Sequence, residues 1–304
     1  MSNDADRRPA PARPQARAGL SAPPHSCGFI LHETGVRHHW EGVGLLSVKT
    51  FSRGRALYDS GPGHYAVDDN SYLILNDGQP YSITVESVRP VESFCIFFKT
   101  GFAEQVYHSL RSGPGALLDD PEAPGRLRIE FFEKTYPHDD ILSPALLSLK
   151  SASAARGRGR PGWPEEQFHE LMGLLLRVRL GSLREASALN AVRASTREEL
   201  YRRLCRARDY MAACFDRPLT LEEIAGVACL SPNHLLRSFR AAFRLTPHQY
   251  LTARRMEQAR RMLADESLSV TDVCFSVGFE SPSSFSRTFR RHTGLSPNEY
   301  RRKR

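Results

Sequence analysis

The sequence runs to 304 residues, 40% of them hydrophobic and 25% charged, with a formal net charge of +8; it is long and apolar enough for two domains with cores of their own. It contains no run of about 18 apolar residues, so no membrane-spanning helix is expected. Its six cysteines form no Cys-x-x-Cys pair and no zinc-finger spacing with histidine, which argues against a disulfide-stapled secreted fold and for a reducing cytoplasm.

Residues 1–27 begin MSNDADRRPAPARPQARAGLSAPP. They lack the apolar segment of a secretory signal, and their composition predicts a disordered tail. From about Cys27 the chain is strand-like. Val43–Phe51 reads as a strand, and Tyr72–Leu75, a turn around Asn76-Asp77-Gly78 and Tyr81–Val85 read as a hairpin. Glu92–Lys99 and Leu127–Phe132 read as two more strands. Short strands punctuated by Pro and Gly predict a small barrel or sandwich. Ser143–Lys150 then reads as a short helix and Ser151–Pro164 as a flexible basic loop. In EEQFHELMGLLLRVRL, Phe168, Leu171, Leu174, Leu175 and Val178 share one helical face. That stripe suits packing on the barrel or a seam between two copies of the chain.

From about Thr196 the pattern is helical, with caps visible. Asp216-Arg217-Pro218 ends one helix, and Thr220 opens the next with Glu223 placed to complete a capping box. Ser231-Pro232 supplies an N-cap and a first helical residue. Thr246-Pro247 opens a longer helix running to about Ala264, and Ser269 (with Asp272), Ser281-Pro282 and Ser296-Pro297 open three more.

Within this region, SPNHLLRSFRAAFRLTPHQY (Ser231–Tyr250) and SPSSFSRTFRRHTGLSPNEY (Ser281–Tyr300) are copies of one frame. Two copies are too few for a solenoid. Each follows a short helix, with Leu221, Ile224, Ala225 and Ala228 inward in the first and Val270, Val273, Cys274 and Val277 in the second. Gly278 stands at the second turn, where positive φ is cheap. Cys229 stands at the first, so that turn is either strained or differently shaped. In the following helices Leu235, Phe239 and Phe243, and then Phe285 and Phe289, face the core. Asn233, Leu236, Arg237 and Arg240 face outward, as do Ser283, Ser284, Arg287 and Arg291. Arginine with short polar side chains near a helix N-terminus suits the major groove of DNA. From Arg197 onward 20 Lys+Arg face 12 Asp+Glu, whereas before it 22 face 22. All the excess charge therefore lies in the helical third, as for a polyanion-binding module on a neutral partner.

The stretches LTLEEIAGVACLSPNHLLRSFRAAFRLTPHQYL and RRMEQARRMLADESLSVTDVCFSVGFESPSSFSRTFRRHTGLSPNEYR closely resemble the AraC/XylS family of bacterial transcription regulators. The resemblance runs from about Leu200 to Arg304. It implies a DNA-binding domain over 196–304, with helix-turn-helix units at about 219–243 and 269–292 joined by a linker helix at about 247–264. Their recognition helices would enter successive major grooves, about 34 Å apart. Carried over by position, Asn233, Leu236 and Arg237, with Ser283, Ser284 and Arg287, would read bases, while Arg240, Arg290 and Arg291 would hold phosphates. Leu236 departs from the polar residue of several relatives, and Arg244 stands where Gly294 closes the second copy. Residues 28–195 are loosely similar to the cupin-like effector and dimerisation domains of the family. The expected fold class is thus α+β: a small cupin-like β-barrel with flanking helices, then an all-α domain. The resemblance further implies a cytoplasmic, nucleoid-associated activator whose partners are double-stranded DNA, RNA polymerase, a small-molecule effector and a second copy bound through the front domain, with no cofactor and no enzymatic activity.

Other chemistry is sparse. His38, His39, Glu41 and His64 lack the second half of a metal-ligand set, so no metal is expected. Tyr72, Tyr81, Phe94 and Phe97 are candidates to line a ligand cavity and equally good core residues, so no effector-binding residue is assigned. Two alternatives stay open: a metal-dependent cupin-type enzyme fused to a DNA-targeting module, and a regulator without a small ligand.

Overall fold

The computed structural model describes residues 26–111, 128–156, 165–190 and 193–303. Nearly all of the expected tail, and the second half of the expected Ser151–Pro164 loop, lie outside the described residues. The fold is α+β, with a rolled antiparallel sheet followed by a helical region.

The sheet is organised by one long strand, β6 (Pro80–Phe98). Strand β1 (Gly28–Val43) pairs along one edge of it, from Gly28 opposite Phe98 to Val43 opposite Pro80. The other edge of β6 serves two partners in succession. Its C-terminal half pairs with β2 (Ser47–Ser52) and its N-terminal end with β3 (Arg55–Asp59). Strand β3 pairs with β4 (His64–Asp68), β2 with β5 (Ser71–Leu75), and β5 with β7 (Thr135–Pro137). Sharing one strand in this way rolls the sheet into a nearly closed barrel. Side chains alternate between its faces. Phe51, Tyr58, Tyr81, Ile83 and Phe97 gather inside, while Val48, Tyr72, Ile74, Phe94 and Ile96 face helices on the outside. Those helices are α1 (Phe102–Arg111), α2 (Ser143–Arg156) and α3 (Glu165–Ser187).

Four local expectations are corrected. The Tyr81–Val85 and Glu92–Lys99 segments are parts of the single strand β6, because Pro90 falls near the irregularity between Gly35 and Arg37 of β1, where a strand tolerates proline. Of the Val43–Phe51 segment, Val43 ends β1 and Ser47 begins β2, with Gly44 between them. The described part of Leu127–Phe132 is not a strand. The Asn76 side chain satisfies its backbone instead, accepting from Phe131 N at 2.8 Å and donating to Phe131 O at 3.0 Å. Finally, Ser151–Arg156 continues α2. The α3 stripe packs on the barrel: Phe168, Leu171, Leu175 and Val178 are buried there and Leu174 is half-buried.

The helical region comprises α4 (Ala194–Ala213), α5 (Leu221–Val227), α6 (Pro232–Phe243), α7 (Pro247–Met262), α8 (Val270–Ser276), α9 (Pro282–Thr293) and α10 (Pro297–Arg302). Its starts follow the caps in the sequence. Thr220, Ser231, Thr246, Ser269, Ser281 and Ser296 each accept a backbone N–H from three residues on. The Thr220 box is only half made, because the Glu223 carboxylate accepts instead from Tyr210 Oη at 2.5 Å and from Arg217 at 2.9 Å. One core joins Leu204, Met211, Ile224, Phe239, Met256 and Phe285, and it also takes Phe132, Ala186 and Leu189 from ahead of α4.

Candidate nucleic-acid interface

Each copy of the repeat is a short helix, a tight turn and a twelve-residue helix. Both turns close by the same pair of bonds. Cys229 N donates to Gly226 O and Leu230 N to Ala225 O, each at 3.0 Å; Gly278 N donates to Phe275 O at 3.0 Å and Phe279 N to Cys274 O at 3.1 Å. This is a helix C-terminus closed through a left-handed residue. Cys229 adopts φ 51° and Gly278 φ 79°, so the first turn has the same shape as the second and is strained. The C-caps of the second helices repeat the contrast, with Arg244 at φ 60° and Gly294 at φ 78°.

The second helices expose matching faces. Leu235 and Phe239 are buried in α6, and Phe285 and Phe289 in α9. Asn233, Arg237 and Arg240 are exposed on α6, as are Ser283, Ser284, Arg287, Arg290 and Arg291 on α9. Leu236 is only half-buried, like its counterpart Ser286. Neither helix contains an acidic residue, so these arginines lie on a face of one sign. Sequence reasoning missed His234, which is exposed at the position Ser284 holds in the second copy. The signal is its register: it stands opposite Ser284 but differs from it, so the identities shared by the two frames pass over it. Ser231 Oγ and Ser281 Oγ cap the two helices by accepting from the His234 and Ser284 amides at 3.4 and 3.3 Å, and the first turns of both helices, at Asn233, His234, Ser283 and Ser284, are exposed.

Helix α7 joins the copies. Its 16 residues span about 24 Å at about 1.5 Å per residue. It is tied to the segment between α4 and α5 and to the barrel. Arg255 donates to Phe215 O at 2.8 Å and to Arg217 O at 2.9 Å. On another side, Arg254 and Arg261 donate to Asp68 at the end of β4, at 2.8 and 3.2 Å. Glu257 accepts from Asn70 at 3.1 Å and pairs with both arginines. Burial alone would push the Asp68 carboxyl up, but the charge and hydrogen bond of Arg254, the Asn70 amide and Arg261 outweigh it and hold it below the usual carboxylate range. A second tie joins α4 to β7: fully buried Asp209 accepts from Thr135 N at 2.9 Å and Thr135 Oγ1 at 2.7 Å. Nothing in the sequence announces these ties, since Asp68 and Arg254 lie 186 residues apart.

No group of three or more His, Cys, Asp or Glu poised to hold a metal occurs among the described residues. His38, His39 and Glu41 are exposed along β1, and His64 pairs with Asp59 at 3.0 Å. Of the four aromatic candidates, Tyr72 and Phe94 belong to the outer core, whereas Tyr81 and Phe97 line a cavity inside the barrel.

A family model described as a helix-turn-helix domain matches residues 224–303. The chain is 34% identical over 93 residues to the melibiose operon regulatory protein of Escherichia coli K12, covering 31% of each chain. It thus spans about a third of the length of the curated relatives it matches. It is 34% identical to the solved C-terminal domain of AraT, a response regulator of Geobacillus stearothermophilus, covering 34% of this chain and 85% of that one with a TM-score of 0.33. It is 29% identical to a Chromobacterium violaceum transcriptional regulator described by its AraC-type DNA-binding domain, covering 36% and 96% with a TM-score of 0.32. Residues 224–303 thus form a helix-turn-helix domain similar in sequence to the corresponding part of transcription regulators such as the melibiose operon regulatory protein.

Proposed function

We propose that the protein is a sequence-specific DNA-binding transcription regulator whose front barrel senses a small effector. The observation that carries this reading is the duplicated exposed face, with Arg237 and Arg287 at the same position of two acid-free helices and buried phenylalanines behind each. In this reading residues 196–304 bind DNA and residues 28–195 sense. Arg237 and Arg287 donate to guanine edges, while Asn233, Ser283 and Ser284 read neighbouring bases. Leu236, half-buried, supplies apolar contact with a thymine methyl, and His234 joins the reading face. Arg240, Arg290 and Arg291 hold phosphates and give binding its salt dependence.

The ties from Asp68 to α7 and from Asp209 to β7 supply a route for regulation. An effector bound differently by two states of the barrel would shift how firmly α7 is held, and with it the spacing of the two reading helices. On this account the protein is not an enzyme; it acts in the cytoplasm as an activator, touches RNA polymerase, and pairs with a second copy through its front domain. The test is selection of bound duplexes from a random-sequence pool. The reading requires an enriched motif with two parts about one helical turn apart, and a pool recovered without any enriched motif would refute it.

A further inference from the structure

The barrel interior holds a feature that a hydrophobic core alone does not explain. Along β2, alternate residues face inward, and the inward set is Ser47, Lys49 and Phe51. Lys49 thus occupies a place where the pattern calls for an apolar residue, and it is 2% exposed. Its ammonium donates to Tyr81 Oη at 3.2 Å and lies 3.6 Å from the centroid of the Phe97 ring. Among the described residues no carboxylate lies within ion-pairing distance of it. An ammonium has three donors to satisfy, and a buried charge without a counter-ion is costly. Burial pulls its pKa down to about 8, so it still carries its charge near neutrality.

Lys49 faces a cavity of about 240 Å³, walled by Phe51, Tyr58, Ile83, Val91 and Phe97. Exposed Glu33, Arg37 and His38 of β1 stand at its rim. A cavity of about 150 Å³ accepts benzene, so this one has room for a ring and a polar group. Inside, the single cation Lys49 sits beside the Tyr58 and Tyr81 hydroxyls among mostly apolar walls, a set that suits one carboxylate on an apolar body better than a phosphate or a sugar. We infer that the barrel binds a compact apolar monocarboxylate, an aromatic or short aliphatic acid, with its carboxylate on Lys49 and Tyr81 and its apolar body against Phe51, Tyr58 and Val91. The acid supplies the charge that Lys49 lacks, and the site discriminates against the neutral amide of the same shape. This inference rests on reading the front barrel as the sensing part.

The experiment measures thermal shifts and calorimetric affinities of the full chain with benzoate, 3-phenylpropionate and octanoate, each against its amide. At least one acid should bind ten-fold or more tightly than its amide. Lys49→Met should abolish that preference and raise the melting temperature of the ligand-free protein, since it removes an uncompensated buried charge. The inference is overturned if no acid binds, if an acid and its amide bind equally, or if Lys49→Met keeps the preference. Should Lys49→Met fail to fold, the acid–amide comparison on the unaltered chain decides alone. Binding of the same preparation to a mixed-sequence duplex is measured in parallel. A chain that binds DNA but no acid sinks this inference and leaves the regulator reading standing; one that binds the acid but no DNA does the reverse.

Discussion

The two helix-turn-helix copies have the same turns built from different residues. The second places glycine at both left-handed positions, Gly278 and Gly294; the first places Cys229 and Arg244 there at φ 51° and 60°. Left-handed geometry costs an ordinary residue about 1–2 kcal/mol, yet the first copy adopts it with the same hydrogen bonds. The shape is therefore imposed by what surrounds the turn: the caps at Thr220 and Ser231, the buried Ile224, Leu235 and Phe239, and the packing of α4. In the second copy the glycine answers a further demand. A Cβ on Gly278 would lie 2.8 Å from Phe215 O and 3.0 Å from Asp216 C, both backbone atoms, whereas one on Gly294 would meet nothing within 4 Å.

The largest expected effect follows from that difference. Gly278→Ala combines left-handed strain with a backbone clash and should cost about 3 kcal/mol, read as a lowered urea midpoint. Next comes the helix that joins the copies. Asp68→Asn removes the charge that Arg254 and Arg261 share and should cost about 2–3 kcal/mol. Because the Asp68 carboxyl is held below its ordinary value, this stabilisation is fully present above the unfolded pKa of about 4 and is lost as pH falls through the folded value. The Asp68→Asn variant should therefore show a shallower acid limb than the unaltered chain. Arg287→Ala should lose about 2 kcal/mol of affinity for a selected duplex and relax preference at one position only; equilibrium titration against single-base variants measures it. Cys229→Gly should stabilise by about 0.5–1 kcal/mol, the relief of strain being partly offset by greater freedom in the unfolded chain. An unchanged midpoint there would mean that the first turn carries no strain. Smallest is Arg291→Ala, which should weaken all sequences alike and reduce the salt slope by about 1.

The helical third was legible because its signals are local. Ser-Pro and Thr-Pro starts, phenylalanines four residues apart and a duplicated frame each fix structure over a few residues, and the helices begin where those signals place them. The half-made box at Thr220 shows the limit, since Glu223 was drawn away by Tyr210 and Arg217, partners that the local pattern does not include. The barrel was legible as a class and not in detail. The Tyr81–Val85 and Glu92–Lys99 segments read as separate strands and proved to be one, with Pro90 between them, because an irregularity in the paired strand β1 decides whether proline is tolerated. Leu127–Phe132 has a strand's composition, but the side chain of Asn76, more than fifty residues away, takes the place of a ladder. The exposed face of the paired helices was mostly visible from spacing. His234 was missed because it is not one of the residues the two frames share, and the Asp68 tie was invisible because it is made only by the fold.

The central claim is that two helices of one chain each read their own part of one DNA site. The most direct test is selection from a random-sequence duplex pool by the intact protein, by Arg237→Ala and by Arg287→Ala in parallel. The account predicts a two-part motif for the intact chain, loss of one part with Arg237→Ala and loss of the other with Arg287→Ala. Motifs that stay unchanged in both variants would contradict it, and would leave the paired arginines as a charged surface with no reading role.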